Sequence, residues 1–328
     1  MSISVALLAA TGMVGQKVIA LLQNSSHFKI TELAASERCI GKEYNKVCEW
    51  REPLIPLPVY VGAMKLKPVT EVVSEFVISC LPSDVAEEVE FKLSSGGKII
   101  FSNAAAFRMH KNVPLLIPEI NFSHLSLLKQ QKTLGKIITN PNCAAVGAAL
   151  ALAPLMSLGT IEHVSIITLQ STSGAGYPGV SSLDLIGNVI PYIEDEASKI
   201  TEEIKKILGG VNTYADFTVT TNVFRVPVLY GHFITLHVKF KHSIATKTAM
   251  EEYNNWNAKF DDLFVFHERE DRPQPIRDLT HDDMRVHIGH LKHGETNDIL
   301  SLVVLSHNLV RGAAGAVIAN MNAYLRFM

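Results

Sequence analysis

SVALLAATGMVGQKVIALL, residues 4–22, decides the fold of the first half of the chain. It opens with an apolar run at 4–10, which is typical of a strand buried on both faces of a parallel sheet. A tight turn follows at Thr11-Gly12. The apolar residues beyond the turn recur at the spacing of one helix face: Val14, Val18, Leu21 and Leu22. The stretch therefore predicts a strand, a turn and a helix.

Three more short apolar runs continue this pattern through the first 104 residues. They are ITELAAS (30–36), FVISCL (76–81) and KIIFSNA (98–104). A helix is predicted between the last two, over residues 84–93. Strands that alternate with helices form βαβ units, so the first half is predicted to contain a parallel sheet.

The pattern changes near residue 140. NPNC (140–143) breaks the chain and opens an almost entirely apolar helix over about 143–152. HVSIITL (163–169) predicts a strand, and apolar residues alternate with polar ones through 232–240, as in a sheet with one buried face. Longer strands and fewer helices favour an α+β second half.

Composition excludes several classes of function. Lysine plus arginine (30) nearly balances aspartate plus glutamate (32), so no basic field exists to hold a nucleic-acid backbone. The longest apolar stretch, 144–156, is shorter than the roughly 20 residues that cross a bilayer, and no basic segment precedes the first strand. We therefore expect a cytoplasmic protein with neither a membrane nor a nucleic-acid partner.

Cysteines and histidines give little sign of a metal. The four cysteines form no C-x-x-C pair and are too few for a disulfide scaffold, so a reducing compartment is expected. His287, His290 and His293 are spaced by three, but no cysteine or carboxylate cluster accompanies them at zinc-ligand spacing. The sequence therefore predicts no metal site.

The turn after the first strand is a candidate site for a cofactor pyrophosphate. Backbone N–H groups at the start of a helix carry partial positive charge, which stabilises an anion. Here they belong to Thr11, Gly12, Met13 and Val14. The spacing of Ala9, Gly12 and Gly15 is one glycine short of a dinucleotide-binding fingerprint, so an ordinary βα turn is the alternative.

Residues after the second predicted strand bear on which cofactor would bind. Ser36 and Arg38 favour a 2′-phosphate and hence NADP, whereas Glu37 would suit the ribose hydroxyl of NAD.

Cys143 is the candidate nucleophile. Asn142 can cap the helix that follows, which leaves the thiol in the first turn, where the helix dipole favours a thiolate. A small buried hydrophobic residue is the alternative interpretation. His232, at the start of the strand over 232–240, is the candidate acid–base partner, although a structural histidine is the more common case.

Two further sets of polar residues stand at predicted element ends. Gln170 ends one strand and leads into Ser173-Gly174, where glycine permits close approach of the backbone to a ligand. Glu196 and Lys199 are three residues apart on a predicted helix, where a surface ion pair of small energy is the ordinary interpretation.

Ten segments, in order along the chain, resemble aspartate-semialdehyde dehydrogenases of the branch found in archaea, fungi and some bacteria. They are TGMVGQ (11–16), AASER (34–38), CLPSDVAEEVE (80–90), SNAAAFRM (102–109), PLLIPEIN (114–121), TNPNC (139–143), SGAGYPGVSSLD (173–184), NVIPYIEDE (188–196), RVPVLYGH (225–232) and HNLVRGAAGAVIAN (307–320). Ten ordered matches are more specific than any single motif.

The resemblance implies a reaction and three catalytic residues. Cys143 corresponds to the nucleophile, His232 to the acid–base residue and Gln170 to the amide that orients the acyl intermediate. The reaction implied is NADP-dependent reductive dephosphorylation of L-aspartyl-4-phosphate to L-aspartate 4-semialdehyde through a thioacyl intermediate. It belongs to the biosynthesis of lysine and diaminopimelate, threonine and methionine.

The resemblance also implies binding residues. Arg225 and Glu196 correspond to the groups that bind the substrate's α-carboxylate and α-ammonium. The residues that correspond to its phosphate pocket are Arg108 and Lys199, with Asn142 beside them. The further residues that correspond to cofactor contacts are Ser173, Gly174 and Asn308.

The architecture implied has three parts and a symmetric assembly. A doubly wound (Rossmann) NADP-binding domain is expected over 1–139 and a larger α+β catalytic and dimerisation domain over 140–306. A C-terminal helix over 307–328 is expected to return to the first domain. The assembly implied is a homodimer or homotetramer.

Several positions depart from the usual sequence of the family. Ala9 replaces the first glycine of the pyrophosphate turn, and Ala144-Ala145 replace hydroxyl residues. Ser171-Thr172 replaces a usual Ala-Val, and Phe224 stands where asparagine is common. None of these changes removes a catalytic functional group.

Three other functions are alternatives. An N-acetyl-glutamyl-phosphate reductase would share the thioester route, but the Glu196 carboxylate suits a free ammonium and gains nothing from an acetamide. A cysteine hydrolase would use Cys143 and His232 without a cofactor, and the first half of the chain, which has the pattern of a nucleotide-binding domain, would then have no role. The third is a catalytically silent NADP-binding protein.

Overall fold

The computed structural model describes residues 2–328, which form two compact units. The first comprises the described residues up to Pro118 together with Phe122–Pro141 and Ala313–Met328, and the second comprises Glu119–Asn121 and Asn142–Gly312. The domain bounds predicted from the sequence differ from these units by a few residues and stay a prediction.

The secondary structure follows in chain order. The strands are β1 (Ile3–Leu8), β2 (Phe28–Ala34), β3 (Phe76–Ser79), β4 (Ile99–Ser102), β5 (Lys136–Thr139), β6 (Ile161–Gln170), β7 (Thr218–Arg225), β8 (His232–Phe240), β9 (Phe264–His267), β10 (Val286–His293) and β11 (Ile299–Ser306). The α-helices are α1 (Met13–Leu22), α2 (Tyr44–Val47), α3 (Val59–Gly62), α4 (Ser83–Ser95), α5 (Pro118–Asn121), α6 (Cys143–Leu152), α7 (Ser182–Leu185), α8 (Glu196–Ile207), α9 (Thr246–Lys259), α10 (Pro275–Asp278) and α11 (Gly315–Phe327).

The first unit contains a five-stranded parallel sheet in the order β2-β1-β3-β4-β5. Alternate side chains of β1 enter two separate apolar clusters. Val5 and Leu7 pack with residues of α1 and α11, whereas Ala6 and Leu8 pack with residues of α4. Because helices cover both faces, β3 and β4 are buried along their whole length, and the predicted doubly wound class is confirmed.

The strand order places a crevice beside β1. The chain moves from β1 outward to β2 and then returns to β3 on the other side of β1. In open parallel sheets, ligands bind at the carboxyl ends of strands where the order reverses in this way. The turn over residues 9–12 follows the carboxyl end of β1, so the predicted pyrophosphate site lies beside this crevice.

The C-terminal helix α11 belongs to the first unit. Val317 and Met321 join the apolar cluster that also holds α1. The side-chain amide of Asn320 donates to the Leu116 carbonyl at 3.3 Å and to Asn140 Oδ1 at 2.6 Å. The last residues therefore complete a unit that begins at the N-terminal strand.

The second unit contains a six-stranded mixed sheet in the order β7-β6-β8-β11-β10-β9. β7 is parallel to β6 and β9 to β10, and the other neighbours are antiparallel. Along β8, His232, Ile234 and Leu236 are buried, while the residues between them are partly exposed. The predicted alternation is confirmed, and so is the α+β class.

Helix α6 is the buried centre of the second unit. Every residue over 144–152 is buried, and the helix contacts α8 and the sheet strands β8 and β11. A helix enclosed in this way has apolar side chains all round, which explains its composition.

None of the helices within residues 2–328 is both long and apolar enough to cross a membrane.

Candidate active site

Cys143 is the first residue of α6, as its position after Asn142 predicted. Asn142 Oδ1 accepts from the backbone N–H of Ala144 at 2.8 Å and of Ala145 at 3.3 Å. These bonds cap the helix and satisfy two of its free N–H groups, so the thiol stands at the positive end of the helix dipole.

His232 lies beside this thiol. Its Nε2 atom is 3.0 Å from Cys143 Sγ, and its side chain is completely buried at the start of β8. Burial, followed by the charges of Arg225 and His307, lowers the pKa of His232 to about 3. The imidazole is therefore neutral at pH 7 while Cys143 keeps its proton, and it can take a proton when a thiolate forms beside it.

Gln170 and Asn142 converge on one carboxylate. Gln170 Nε2 and Asn142 Nδ2 each donate to Glu196 Oε1 at 2.9 Å. Glu196 is the first residue of α8, and Gln170 is the last of β6. The interpretation of Glu196 and Lys199 as an ion pair is wrong, because Glu196 turns towards the start of α6 and Lys199 Nζ lies 3.8 Å from Asp195 Oδ2.

Arg225 ends β7 and is buried near the same groups. Its guanidinium donates to the Ser171 carbonyl at 2.7 Å. Burial lowers the pKa of Arg225, whereas the charges of Cys143 and Glu196 act in the opposite direction. A buried guanidinium with donors to spare suits a carboxylate ligand.

Gly174 leaves room for two of these side chains. A β-carbon at this position would lie 3.0 Å from an Arg225 guanidinium nitrogen and 3.1 Å from His232 Cε1. Asn308 fixes the same loop, because its Nδ2 donates to Ser173 Oγ at 2.9 Å and its Oδ1 accepts from the Gly231 N–H at 2.9 Å.

The sequence did not single out two residues that support Cys143. The buried Glu203 carboxylate accepts from the Asn142 N–H at 2.5 Å. A β-carbon on Gly312 would lie 2.6 Å from Cys143 Cβ, so only glycine fits there. Glu203 stands seven residues after Glu196, two helical turns along α8. This spacing places both carboxylates on one face of the helix, and the sequence could have indicated it.

The predicted cofactor residues of the first unit surround the start of α1. Gly12 precedes the helix, and a β-carbon on Gly15 would lie 2.8 Å from the Ala9 carbonyl oxygen. Ala9 itself has φ 55°, a left-handed backbone that favours glycine. The buried Tyr44, which the sequence did not single out, donates its hydroxyl to the Ala10 carbonyl at 2.8 Å.

The remaining predicted residues of the first unit are more exposed. Ser36 and Arg38 are exposed beyond β2, at the crevice side of the sheet. Arg108 is half-buried after β4, and its guanidinium donates to the Asn103 carbonyl at 2.7 Å.

The described residues contain no group of His, Cys, Asp or Glu side chains arranged to hold a metal ion. Of the three evenly spaced histidines, His287 is buried, and its Nε2 lies 3.0 Å from Asp283 Oδ2. His290 is exposed.

Comparison with known proteins gives consistent matches along the chain. The family model described as semialdehyde dehydrogenase, NAD binding domain, matches residues 4–128, and the model described as semialdehyde dehydrogenase, dimerisation domain, matches residues 152–311. The aspartate-semialdehyde dehydrogenase of Archaeoglobus fulgidus is 41% identical over 99% of each chain. That of Schizosaccharomyces pombe is 36% identical over 96% of each.

A solved structure shows the same likeness. The crystal structure of aspartate semialdehyde dehydrogenase with NADP from Candida albicans superposes with a TM-score of 0.88 at 30% identity, covering 98% of both chains.

Proposed function

Since this chain belongs to the aspartate-semialdehyde dehydrogenase family, as its motifs predicted, we propose that it reduces L-aspartyl-4-phosphate to L-aspartate 4-semialdehyde with NADPH. This step belongs to the biosynthesis of lysine and diaminopimelate, threonine and methionine. The observation that carries the proposal is the 3.0 Å contact between Cys143 Sγ and His232 Nε2 at the capped start of α6.

The residues of the first unit fit NADP. The α1 start offers backbone N–H groups of Thr11, Gly12, Met13 and Val14 to a pyrophosphate, and a β-carbon on Gly15 would collide with the turn. Ser36 and Arg38 are exposed after the end of β2, and they are the proposed contacts of the 2′-phosphate. When bound, NADPH supplies the hydride. Ser173, Gly174 and Asn308 are the further proposed contacts, in the second unit.

Cys143 begins the reaction as the nucleophile. His232 takes the thiol proton, the sulfur bonds to the substrate's acyl carbon, and the bond from that carbon to the phosphate oxygen breaks. Phosphate is held by Arg108 and Lys199, with Asn142 beside them, and a thioacyl enzyme remains. After reduction, the former thioester oxygen carries a negative charge. It reforms the carbonyl, the carbon–sulfur bond breaks, and His232 returns its proton to the departing sulfur.

Three residues select and orient the substrate. Arg225 binds the α-carboxylate, Glu196 binds the α-ammonium, and Gln170 orients the acyl group. Glu196 favours this substrate over the N-acetyl-glutamyl alternative, because its carboxylate would have no cation to bind there. The intact contact between Cys143 and His232 speaks against a silent NADP-binding protein.

We propose a cytoplasmic homodimer as the basic assembly, with a tetramer of two dimers as the alternative. The match to a dimerisation domain over residues 152–311 supports self-association. The side of the second sheet opposite α6 carries the partly exposed Leu169, Phe233 and Val303, which a second copy would cover.

The decisive experiment follows phosphate-dependent reduction of NADP by L-aspartate 4-semialdehyde, for the unmodified protein and for Cys143→Ala. NAD and the aldehyde of N-acetyl-glutamate are run in parallel. We expect activity with the free-amine aldehyde that disappears in Cys143→Ala. Activity with neither aldehyde would favour the silent NADP-binding protein.

A further inference from the structure

Ser171 is a completely buried hydroxyl residue that contacts the far side of the His232 ring. Its backbone N–H donates to His232 Nδ1 at 3.2 Å, and its Oγ lies 3.4 Å from the same nitrogen. The hydroxyl also lies 3.3 Å from Ser173 Oγ, which accepts from Asn308. A chain of hydrogen bonds thus runs from His232 to Asn308.

The two groups of Ser171 differ in what they permit at Nδ1. A backbone N–H only donates, so its bond requires a lone pair on Nδ1 and places the proton of the neutral ring on Nε2, where that ring could not take the thiol proton of Cys143. A hydroxyl rotates, so it can donate to a bare Nδ1 or accept from a protonated one. Ser173 Oγ can rotate in the same way and take up the hydroxyl proton of Ser171.

A protonated His232 needs such an acceptor. His232 can take the thiol proton of Cys143 only when Nδ1 carries the hydrogen of the neutral ring and Nε2 is bare. After the transfer both nitrogens carry hydrogen, and Nε2–H faces the thiolate. The Nδ1–H then faces Ser171, whose backbone N–H cannot accept it. Burial already opposes this charge, as do Arg225 at the end of β7 and His307 after β11.

We propose that the Ser171 hydroxyl is a positioning residue that accepts the Nδ1 proton of His232 and so stabilises the thiolate–imidazolium pair with Cys143. In this step Nδ1 keeps its hydrogen, the S–H bond of Cys143 breaks and an N–H bond forms at Nε2, with no other reactant. The use of the pair in turnover rests on the proposed function, whereas its existence in the resting protein does not.

One other group competes for the same role. The backbone carbonyl of Gly231 also favours the protonated ring. If that carbonyl alone satisfied Nδ1–H, the hydroxyl would be dispensable. If Arg225 alone balanced the thiolate, the ring would stay neutral and Ser171 would again be dispensable. Both cases predict no effect when the hydroxyl is removed.

Alkylation of Cys143 by iodoacetamide tests the proposal without any substrate. Ser171→Ala removes one oxygen, and Ser171→Thr keeps a hydroxyl. At pH 7 we expect Cys143 in Ser171→Ala to react about tenfold more slowly, since a hydrogen bond to a charged ring is worth about one pKa unit more than one to a neutral ring. Ser171→Thr should restore the rate.

A second background separates proton transfer from packing. His232→Asn removes the ring, so His232→Asn and the double variant with Ser171→Ala should alkylate at the same rate. Equal rates for the unmodified protein and Ser171→Ala would overturn the proposal, as would an effect of Ser171→Ala that persists in the His232→Asn background. Because alkylation involves no turnover, a protein that alkylates as expected yet lacks dehydrogenase activity would contradict the proposed function alone.

Discussion

The Sγ atom of Cys143 and the Nε2 atom of His232 lie 3.0 Å apart, although 89 residues separate them in the sequence. The pair is brought together because α6 packs on the sheet and its first turn meets the first residue of β8. The Asn142 cap fixes the first turn of α6, and the backbone N–H of Ser171 donates to the His232 ring. The proposed chemistry is thus built on two rigid element ends.

Replacing His232 with asparagine should lower kcat by about 10²–10⁴, because a general acid–base residue is removed while the site stays polar. The KM for aspartate semialdehyde should change little. His242→Asn, an exposed histidine just beyond β8, is the matched control. Steady-state kinetics give kcat and KM for both variants. A His232→Asn variant with normal kcat would contradict the acid–base role of His232.

Replacing Glu196 with glutamine should raise the KM for aspartate semialdehyde roughly tenfold, because a charge-assisted bond to the substrate ammonium becomes a neutral one. Its Oε1 can still accept from Asn142 and Gln170, so the fold should be retained. Kinetics with Glu194→Gln, an exposed neighbour, provide the comparison. An unchanged KM would remove the argument against the N-acetylated substrate.

Apolar runs and apolar–polar alternation predicted three elements whose burial is uniform or regularly alternating. The run at 4–10 became β1, the stretch 143–152 became α6, and the alternation over 232–240 became β8. Strand β5 was not predicted, since its apolar residues, Ile137 and Ile138, form too short a run before NPNC. β10 was also missed, because its second half is polar and partly exposed.

The candidate site was predictable where a residue type carries its own chemistry, as with Cys143 and its Asn142 cap. The contact with His232 depends on packing between distant elements, so its sequence position made His232 only a candidate partner, and the resemblance implied its role. Gly312 could not be singled out, because its role is to leave space beside Cys143. The roles of these residues stay predictions until the variants are measured.

Replacing Gly312 with alanine should displace the nucleophile. The new β-carbon would lie 2.6 Å from Cys143 Cβ and 2.9 Å from its Cα, and backbone atoms cannot move aside cheaply. A displacement of this kind is expected to lower kcat about 100-fold. Gly62→Ala, where a β-carbon meets only ordinary contacts beginning at 3.4 Å, should be active. Full activity in Gly312→Ala would contradict this prediction, because it would show that the first turn of α6 can shift without loss of catalysis.

Replacing Ala9 with glycine should stabilise the protein by about 0.5–1 kcal/mol, because a left-handed backbone strains alanine more than glycine's extra chain entropy costs. Ala9 has φ 55°, which lies in the left-handed region. Ala10→Gly is the neighbouring control and should destabilise, since Ala10 is completely buried. Urea denaturation measures both, and a less stable Ala9→Gly would mean that the methyl group makes compensating contacts.

Glu90 should make stability depend on pH. Its side chain is completely buried on α4, where Ser102 donates to Oε1 at 2.7 Å, and burial raises its pKa to about 7 despite the bond from Ser102.

Because an unfolded glutamate titrates near pH 4.5, the folded protein binds more protons between pH 4.5 and 7. The free energy of unfolding therefore falls as pH rises through that window, by about 2 kcal/mol between pH 5 and pH 8. Glu90→Gln should remove this dependence and be the more stable protein at pH 8, whereas Glu88→Gln, exposed on the same helix, should behave as the unmodified chain. Urea denaturation at both pH values tests this, and parallel pH dependence in Glu90→Gln and the unmodified protein would assign the effect to other groups.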